Sequence, residues 1–320
     1  METNLKPWLF KTFKKVYDIL AGTPLRKVPH IWVISNFFFR LFWPNRNVIE
    51  VQESKMFIDV DDPDLRMRKT FQAYGMNLIH EEGTTGLFKK VVKPGNIVVD
   101  IGANIGYFTL LAAKLVGESG KVFSFEPEPK NFSYLKKNLE VNDYKNVFAF
   151  QKAVSDKVGK AKLFICSYDS GHHTINQFEG IEAYRQGRTG ETEEIEIEVV
   201  TLNSFLADKT DKVDVIKIDV EGAEALVING MKEILKKNND IKIFLEFFPL
   251  LINKMGSSPQ QLIESLLGDF KFHLFAIGHD YSASHSHSDL IRIQTYEQLQ
   301  SLLKEEAAHI NLYLSRDSNL

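Results

Sequence analysis

The sequence predicts an α/β fold: a mainly parallel, seven-stranded sheet with helices on both faces, preceded by an N-terminal helical extension. Three observations carry this expectation. Short apolar runs alternate with helix-like segments from residue 97 to the C-terminus. The runs are apolar on both faces, as in strands buried within a parallel sheet, and the gaps between them suit crossover helices. The first run, VVDIGANIGYFTLLAAKLVG (98–117), ends in an aspartate and two spaced glycines and then opens into an apolar stripe at helical spacing, Phe108, Leu111, Ala112 and Leu115. That order reads as strand, tight turn and helix.

The strands expected in order are IVVDI (97–101), KVFSFE (121–126), NVFAFQ (146–151), DVIKID (214–219), IKIFLEF (241–247), KFHLFAIG (271–278) and HINLYLS (309–315). Helices fill most gaps: the segment after Gly106, then PEPKNFSYLKKNLEVN, EGAEALVINGMKEILKKN, SSPQQLIESLLGD and YEQLQSLLKEE. Each carries an apolar stripe at helical spacing. An excursion interrupts the alternation, with AKLFIC (161–166) and EEIEIEVV (193–200) flanking a polar loop at 167–191. Glu alternating with Ile or Val suits a strand with one wet face, and a loop of that length suits a lid or a binding loop. The expected organisation is a basic, aromatic, partly helical extension over residues 1–74 and one domain over 75–320, with a substrate-loop insertion at about 161–200.

Composition is that of a globular chain, with 44% hydrophobic and 25% charged residues in 320. A single cysteine, Cys166, forms no internal disulfide, which points to a reducing, cytoplasmic setting. The net charge of −3 is uneven: residues 1–50 hold eight Lys/Arg against three Asp/Glu, leaving the body acidic. An acidic body without a recognition motif argues against nucleic acid as a partner. Lysines interrupt every apolar run of the arm before a signal-peptide core can form. The run IWVISNFFFRLFW (31–43) is much shorter than the ~20 residues a bilayer core requires. An apolar face on the arm, Trp8 to Leu20 opposed by lysines, fits either packing on the domain or a partner subunit, or peripheral membrane contact through residues 5–45.

The turn reads D-I-G-A-N-I-G, with the acid ahead of the first glycine and Asn104 where a dinucleotide fingerprint places its second glycine. A nicotinamide cofactor is therefore disfavoured. Glu126 closes the next strand, where a carboxylate beside a glycine turn suits both hydroxyls of a ribose. VKPGNIVVDIGANIGYFTLLAA, VFSFEPEPKNFSYLKKNLEVN, KAVSDKVG and DVIKIDVEGAE, followed by FLEF, together resemble the FkbM-type, class I S-adenosylmethionine-dependent methyltransferases over residues 75–250. The resemblance implies their Rossmann-like fold, S-adenosyl-L-methionine as cofactor and O-methylation of a sugar or natural-product hydroxyl. It places Asp100, Gly102, Asn104 and Gly106 at the cofactor's amino-acid end and Glu126 on its ribose. The segment HEEGTTGLF is similar to the family's entry element and puts Glu82 and Thr85 on the sulfonium side. Gly171-His172-His173 departs from the small or amide residues of the family and leaves the acceptor open.

Plainer roles stand beside these. Asp100 and Asp219 could cap the helices that follow them, Glu126 could be a solvated strand end, and Glu246 in FLEFF could belong to a structural salt bridge. For methyl transfer to a hydroxyl, the candidates for proton removal or alignment are Asp219, Glu246 and His173, in that order. His279, His285 and His287 match no closed zinc pattern, and no metal is expected. Cys166 reads as a buried strand residue. The expected partner is a small-molecule or glycan acceptor, with homo-oligomerisation open. A cofactor-binding module without turnover is the competing class, as is a methyltransferase held at a membrane surface and acting on a lipid-linked glycan.

Overall fold

The structure is a computed structural model that describes residues 5–21, 31–44, 47–165, 193–278, 280, 290–303 and 308–317. The chain forms two compact units, Met1–Ile79 and His80–Leu320. In the first, helices Leu5–Ala21 and Ile31–Phe42 meet through aromatic rings, with Phe10 5.7 Å from Phe39 and 5.0 Å from Trp43 between centroids. Strands β1 (Val48–Val51) and β2 (Ser54–Phe57) pair as a hairpin. Its turn residues Gln52 and Glu53 both have positive φ, 51° and 64°, the twist that a two-residue connection needs. Helix Leu65–Gly75 follows, and a Cβ on Gly75 would fall 2.7 Å from the Phe39 ring, so only hydrogen fits there.

The second unit holds β3 (Ile97–Ile101), β4 (Lys121–Phe125), β5 (Val147–Phe150), β6 (Ala153–Val154), β7 (Gly159–Ile165), β8 (Glu193–Val200), β9 (Val215–Ile218), β10 (Lys242–Phe247), β11 (His273–Ile277), β12 (Leu290–Ile293) and β13 (Ile310–Ser315). Eight of them form one sheet in the order β12-β11-β13-β10-β9-β3-β4-β5. From β5 to β10 every pairing is parallel; β13 enters antiparallel between β10 and β11. The chain winds outward from β3 to β5 and then returns to the other side of β3, so the winding reverses between β3 and β9. Open α/β sheets bind ligands at the carboxyl ends of the strands beside such a reversal. This is a Rossmann-like arrangement. Ile216, Ile243, Phe247 and Leu314 have no exposed surface, as strands covered on both faces require.

Three features differ from the expectation. An eighth strand, β12, lies outside β11 and pairs antiparallel with it. The segment EGAEALVINGMKEILKKN breaks at Met231 (φ −125°) into helices Glu224–Gly230 and Lys232–Lys237. The strand expected from 271 starts at 273, because Lys271 takes a left-handed turn at φ +56°. The excursion is a separate sheet, β6-β8-β7, with a small apolar core of Ala153, Leu163, Ile197 and Val199. Its wet face carries lysine–glutamate pairs, Lys160 with Glu196 and Lys162 with Glu194 at 2.6 Å each. The 167–191 loop, and with it His172 and His173, lies outside the described residues, as do Cys166, His279, His285 and His287.

Candidate active site

The turn after β3 is held by backbone bonds to the neighbouring strand. Gly102 and Ala103 both donate N–H to the Phe125 carbonyl at 2.9 Å. Gly102 sits at φ +83°, and a Cβ there would lie 1.7 Å from the Asp219 carbonyl oxygen. Its missing side chain therefore lets the ends of β3 and β9 close on each other. Asn104 and Gly106 also take positive φ, 51° and 97°. Asn104 is rescued in that conformation by its own side chain, which accepts from the Ile105 N–H at 2.8 Å. The helix Tyr107–Val116 begins directly after Gly106.

Glu126 is the anchor of this turn. It is 5% exposed; Oε2 accepts the Asn104 N–H at 2.8 Å and Oε1 the Glu128 N–H at 3.0 Å. Burial pushes its carboxyl up to about 8, against the pull of those two N–H groups. Glu128 caps the helix Pro129–Glu140 by accepting from Lys130 and Asn131 N–H groups. Asn131 adds a side-chain hydrogen bond to the two backbone ones, and a carboxylate with about four acceptor positions keeps capacity for a ribose hydroxyl while it fastens the turn. The donor set fits an S-adenosyl ligand in that respect.

Beside the turn lies a buried charge cluster built around Lys217 of β9. Lys217 is 1% exposed; its ammonium is 3.1 Å from Asp219 Oδ2 and 3.9 Å from Glu81 Oε2, and sits 4.9 Å from the centre of the Phe108 ring. Burial opposes its charge, and the Asp219 and Glu81 carboxylates outweigh that, leaving its pKa above the ordinary value. Asp219 is in turn held below the usual carboxylate range: burial acts upward, and Lys217 together with a hydrogen bond from Glu246 outweighs it. Glu246, buried at the end of β10, is driven well up by burial and by the Asp219 and Glu221 charges. The pair is thus an ionised Asp219 beside a neutral Glu246 that donates to it. His309 Nε2 stands 3.4 Å from Glu246 Oε1 and its ring lies 5.2 Å from the Phe248 ring, tilted by 38°.

Asp100 shares this environment. Its Oδ2 accepts from Thr109 Oγ1 at 2.6 Å, and Thr109 continues to Ser124 at 2.9 Å. Burial raises its carboxyl to about 6. Asp100 does not cap the following helix: the cap position is Gly106, and no side chain bonds there. Thr85 is buried, with Oγ1 donating to the His80 carbonyl at 2.6 Å and lying 3.3 Å from the Tyr107 hydroxyl. Glu82 is exposed on the first turn of helix Glu82–Val91, and the adjacent Glu81, turned inward by a left-handed backbone (φ 44°), is the carboxylate facing Lys217.

Sequence reasoning therefore missed Glu81, Lys217, Glu221 and His309. The readable signal was Lys217, a charge inside an otherwise apolar strand. Asp280 follows His279 at the end of the β11 region and reaches the entry helix. It caps that helix from outside, with Oδ1 accepting from Gly83 and Thr84 N–H groups at 2.7 and 3.1 Å. Among the described residues, Asp219, Glu221 and Glu246 are the group whose carboxylate oxygens come within 4.8 Å of one another, a spacing a hard divalent cation could also use.

The site therefore combines the reversal of the sheet's winding, a glycine turn tied to a strand-end glutamate, and an acidic pair at the next strand ends. Residues 100–277 match the family model described as the methyltransferase FkbM domain, and the chain belongs to that family. It is 31% identical over 162 residues to the 31-O-demethyl-FK506 methyltransferase FkbM of Streptomyces tacrolimicus, covering 44% of this chain and 62% of that protein. To Methyltransferase 1 of Beauveria bassiana it is 29% identical over 148 residues, covering 43% and 59%. To the 2-O-methyltransferase NoeI of Sinorhizobium fredii it is 26% identical over 188 residues, covering 56% and 74%. The chain thus spans about three fifths of the length of the first two of these relatives. The crystal structure of methyltransferase FkbM from Methylobacillus flagellatus superposes with a TM-score of 0.40 at 12% identity, covering 78% of this chain and 54% of that one.

Proposed function

We propose that the protein methylates a hydroxyl group of a small-molecule or glycan acceptor, with Glu126 and the 102–106 turn holding the cofactor and Asp219 and Glu246 facing the acceptor. S-adenosylmethionine supplies a sulfonium methyl with its leaving group already attached, so the protein's work is alignment, exclusion of water and disposal of one proton. The observation that carries the reading is the charge state of the acidic pair. Asp219 keeps 27% of its side chain exposed while Lys217 and Glu246 hold it ionised from the buried side. An ionised carboxylate at the carboxyl end of β9 can accept the hydrogen bond of an alcohol and orient its oxygen. A carboxylate with a lowered pKa is a weak base. Proton transfer to Asp219 is therefore late, as the oxygen acquires positive character, and orientation contributes most of the rate.

Glu246, neutral beside it, prevents a second negative charge from competing for Lys217. Asp100 and Thr85 support the cofactor's amino-acid and sulfonium sides in this reading, each fixed by a hydroxyl hydrogen bond. The relatives named as O-methyltransferases or as acting at a 31-O position support oxygen as the methylated atom. The test is transfer of labelled methyl from S-adenosylmethionine to fractionated glycans, lipids and small molecules, with the product mapped by mass spectrometry. A base-stable methyl ether is the expected linkage. Label on nitrogen or carbon, or cofactor binding without transfer to any fraction, would refute the reading.

A further inference from the structure

The N-terminal unit turns its apolar side chains outward. Among the described residues, thirteen large hydrophobic side chains are exposed, and eight of these fall between Trp8 and Leu41. Helix Ile31–Phe42 buries Asn36 and Phe39 and presents Ile34, Phe37, Phe38 and Leu41 on the opposite side, four residues at the i, i+3, i+4 and i+7 spacing of one helical face. Helix Leu5–Ala21 does the same: Phe10 is buried, while Trp8 and Ile19 are 61% and 71% exposed. Lys11 and Lys15 are exposed beside them. Soluble surfaces seldom concentrate large apolar side chains in this way without a surface that covers them.

We propose that these two helices dock the protein on an anionic lipid surface, lying in the interface with Trp8, Ile34, Phe37 and Phe38 among the acyl chains and the lysines at the headgroups. Charge decides the occupant. Residues 1–50 carry eight Lys/Arg against three Asp/Glu. A second copy of the chain would bring two such basic segments together, whereas an anionic leaflet attracts each lysine. Neither described helix is long and apolar enough to cross a bilayer, which leaves the interfacial position that basic amphipathic helices take. The inference stands apart from methyl transfer: it rests on the first unit, and the cofactor site lies in the second.

The test uses the full chain and large unilamellar vesicles of phosphatidylcholine, with and without phosphatidylglycerol. Co-sedimentation is expected with the anionic vesicles, falling about tenfold as salt is raised to screen the lysines. All three tryptophans, Trp8, Trp32 and Trp43, lie in the first unit, so emission should shift to the blue on binding. Ile34→Ser/Phe37→Ser/Phe38→Ser removes only exposed side chains. It should keep the far-UV circular dichroism and S-adenosylhomocysteine affinity of the parent while losing about tenfold or more in vesicle partitioning. Lys11→Glu/Lys15→Glu should lose binding to anionic vesicles. Retained partitioning in the serine variant would overturn the proposal. So would a parent that ignores vesicles and sediments as a dimer that the serine substitutions dissociate, which would assign the face to a second copy.

Discussion

Removing the Lys217 ammonium while keeping its apolar stem, as in Lys217→Met, isolates the electrostatics of the buried cluster. The cation is 1% exposed, 3.1 Å from Asp219 and 3.9 Å from Glu81. Deleting one partner of a buried pair leaves the other charge uncompensated and costs about 3–5 kcal/mol. The pH dependence makes the prediction specific. Lys217 has a raised folded pKa, so its own contribution is complete below the ordinary 10.5 and is lost only as pH rises through the folded value, above any working range. Asp219 has a lowered folded pKa, so its contribution is present above 3.8 and lost as pH falls through the folded value. Without Lys217, burial dominates Asp219, its folded pKa swings upward, and the native state then loses stability as pH rises. The deficit of Lys217→Met should therefore grow between pH 5 and pH 8, by more than about 1 kcal/mol, since one pKa unit is worth about 1.4 kcal/mol. Urea unfolding followed by far-UV circular dichroism is the assay, because tryptophan emission reports the first unit alone. A deficit below about 1 kcal/mol, or one equal at both pH values, would refute the cluster as described.

Other substitutions separate the roles within the site. Glu126→Gln should fold and lose about 1.5–3 kcal/mol of S-adenosylhomocysteine binding by calorimetry, the range for a hydrogen bond to a charged group; unchanged affinity would remove Glu126 from the ribose. Asp219→Asn should leave cofactor affinity within about twofold and lower kcat by roughly 10²–10⁴. Loss of cofactor binding with the acceptor KM unchanged would instead move Asp219 to the cofactor side. Gly102→Ala places a methyl where the Asp219 carbonyl already stands and forces alanine to φ +83°. It should cost about 3 kcal/mol or more, measured by urea unfolding, and a fully stable variant would mean the two strand ends are not so close.

The seven expected strands fall within one or two residues of their observed ends because each is a continuous apolar run closed by a turn, which local sequence specifies. The eighth, Leu290–Ile293, escaped because its two central residues, Ile291 and Arg292, are exposed at the sheet edge. The hairpin at 48–57 was not separated from the helical extension for a related reason: its turn, Gln52-Glu53, lacks the glycine or asparagine that marks such turns. Asp100, Glu126, Asp219 and Glu246 were legible as acids at the ends of apolar strands, and Asn104 as the amide between two turn glycines. Which of Glu81 and Glu82 turns toward Lys217 was not, since it depends on one left-handed backbone angle. His309 and Glu81 reach the cluster from opposite ends of the domain sequence, and no local pattern records that convergence.

Calorimetry of the full chain with S-adenosylhomocysteine and with NAD addresses the central claim directly, because it reads the glycine turn and Glu126 whatever the acceptor is. One-to-one binding of S-adenosylhomocysteine with no comparable heat for NAD is the predicted result. Tight NAD binding with no response to S-adenosylhomocysteine would contradict it.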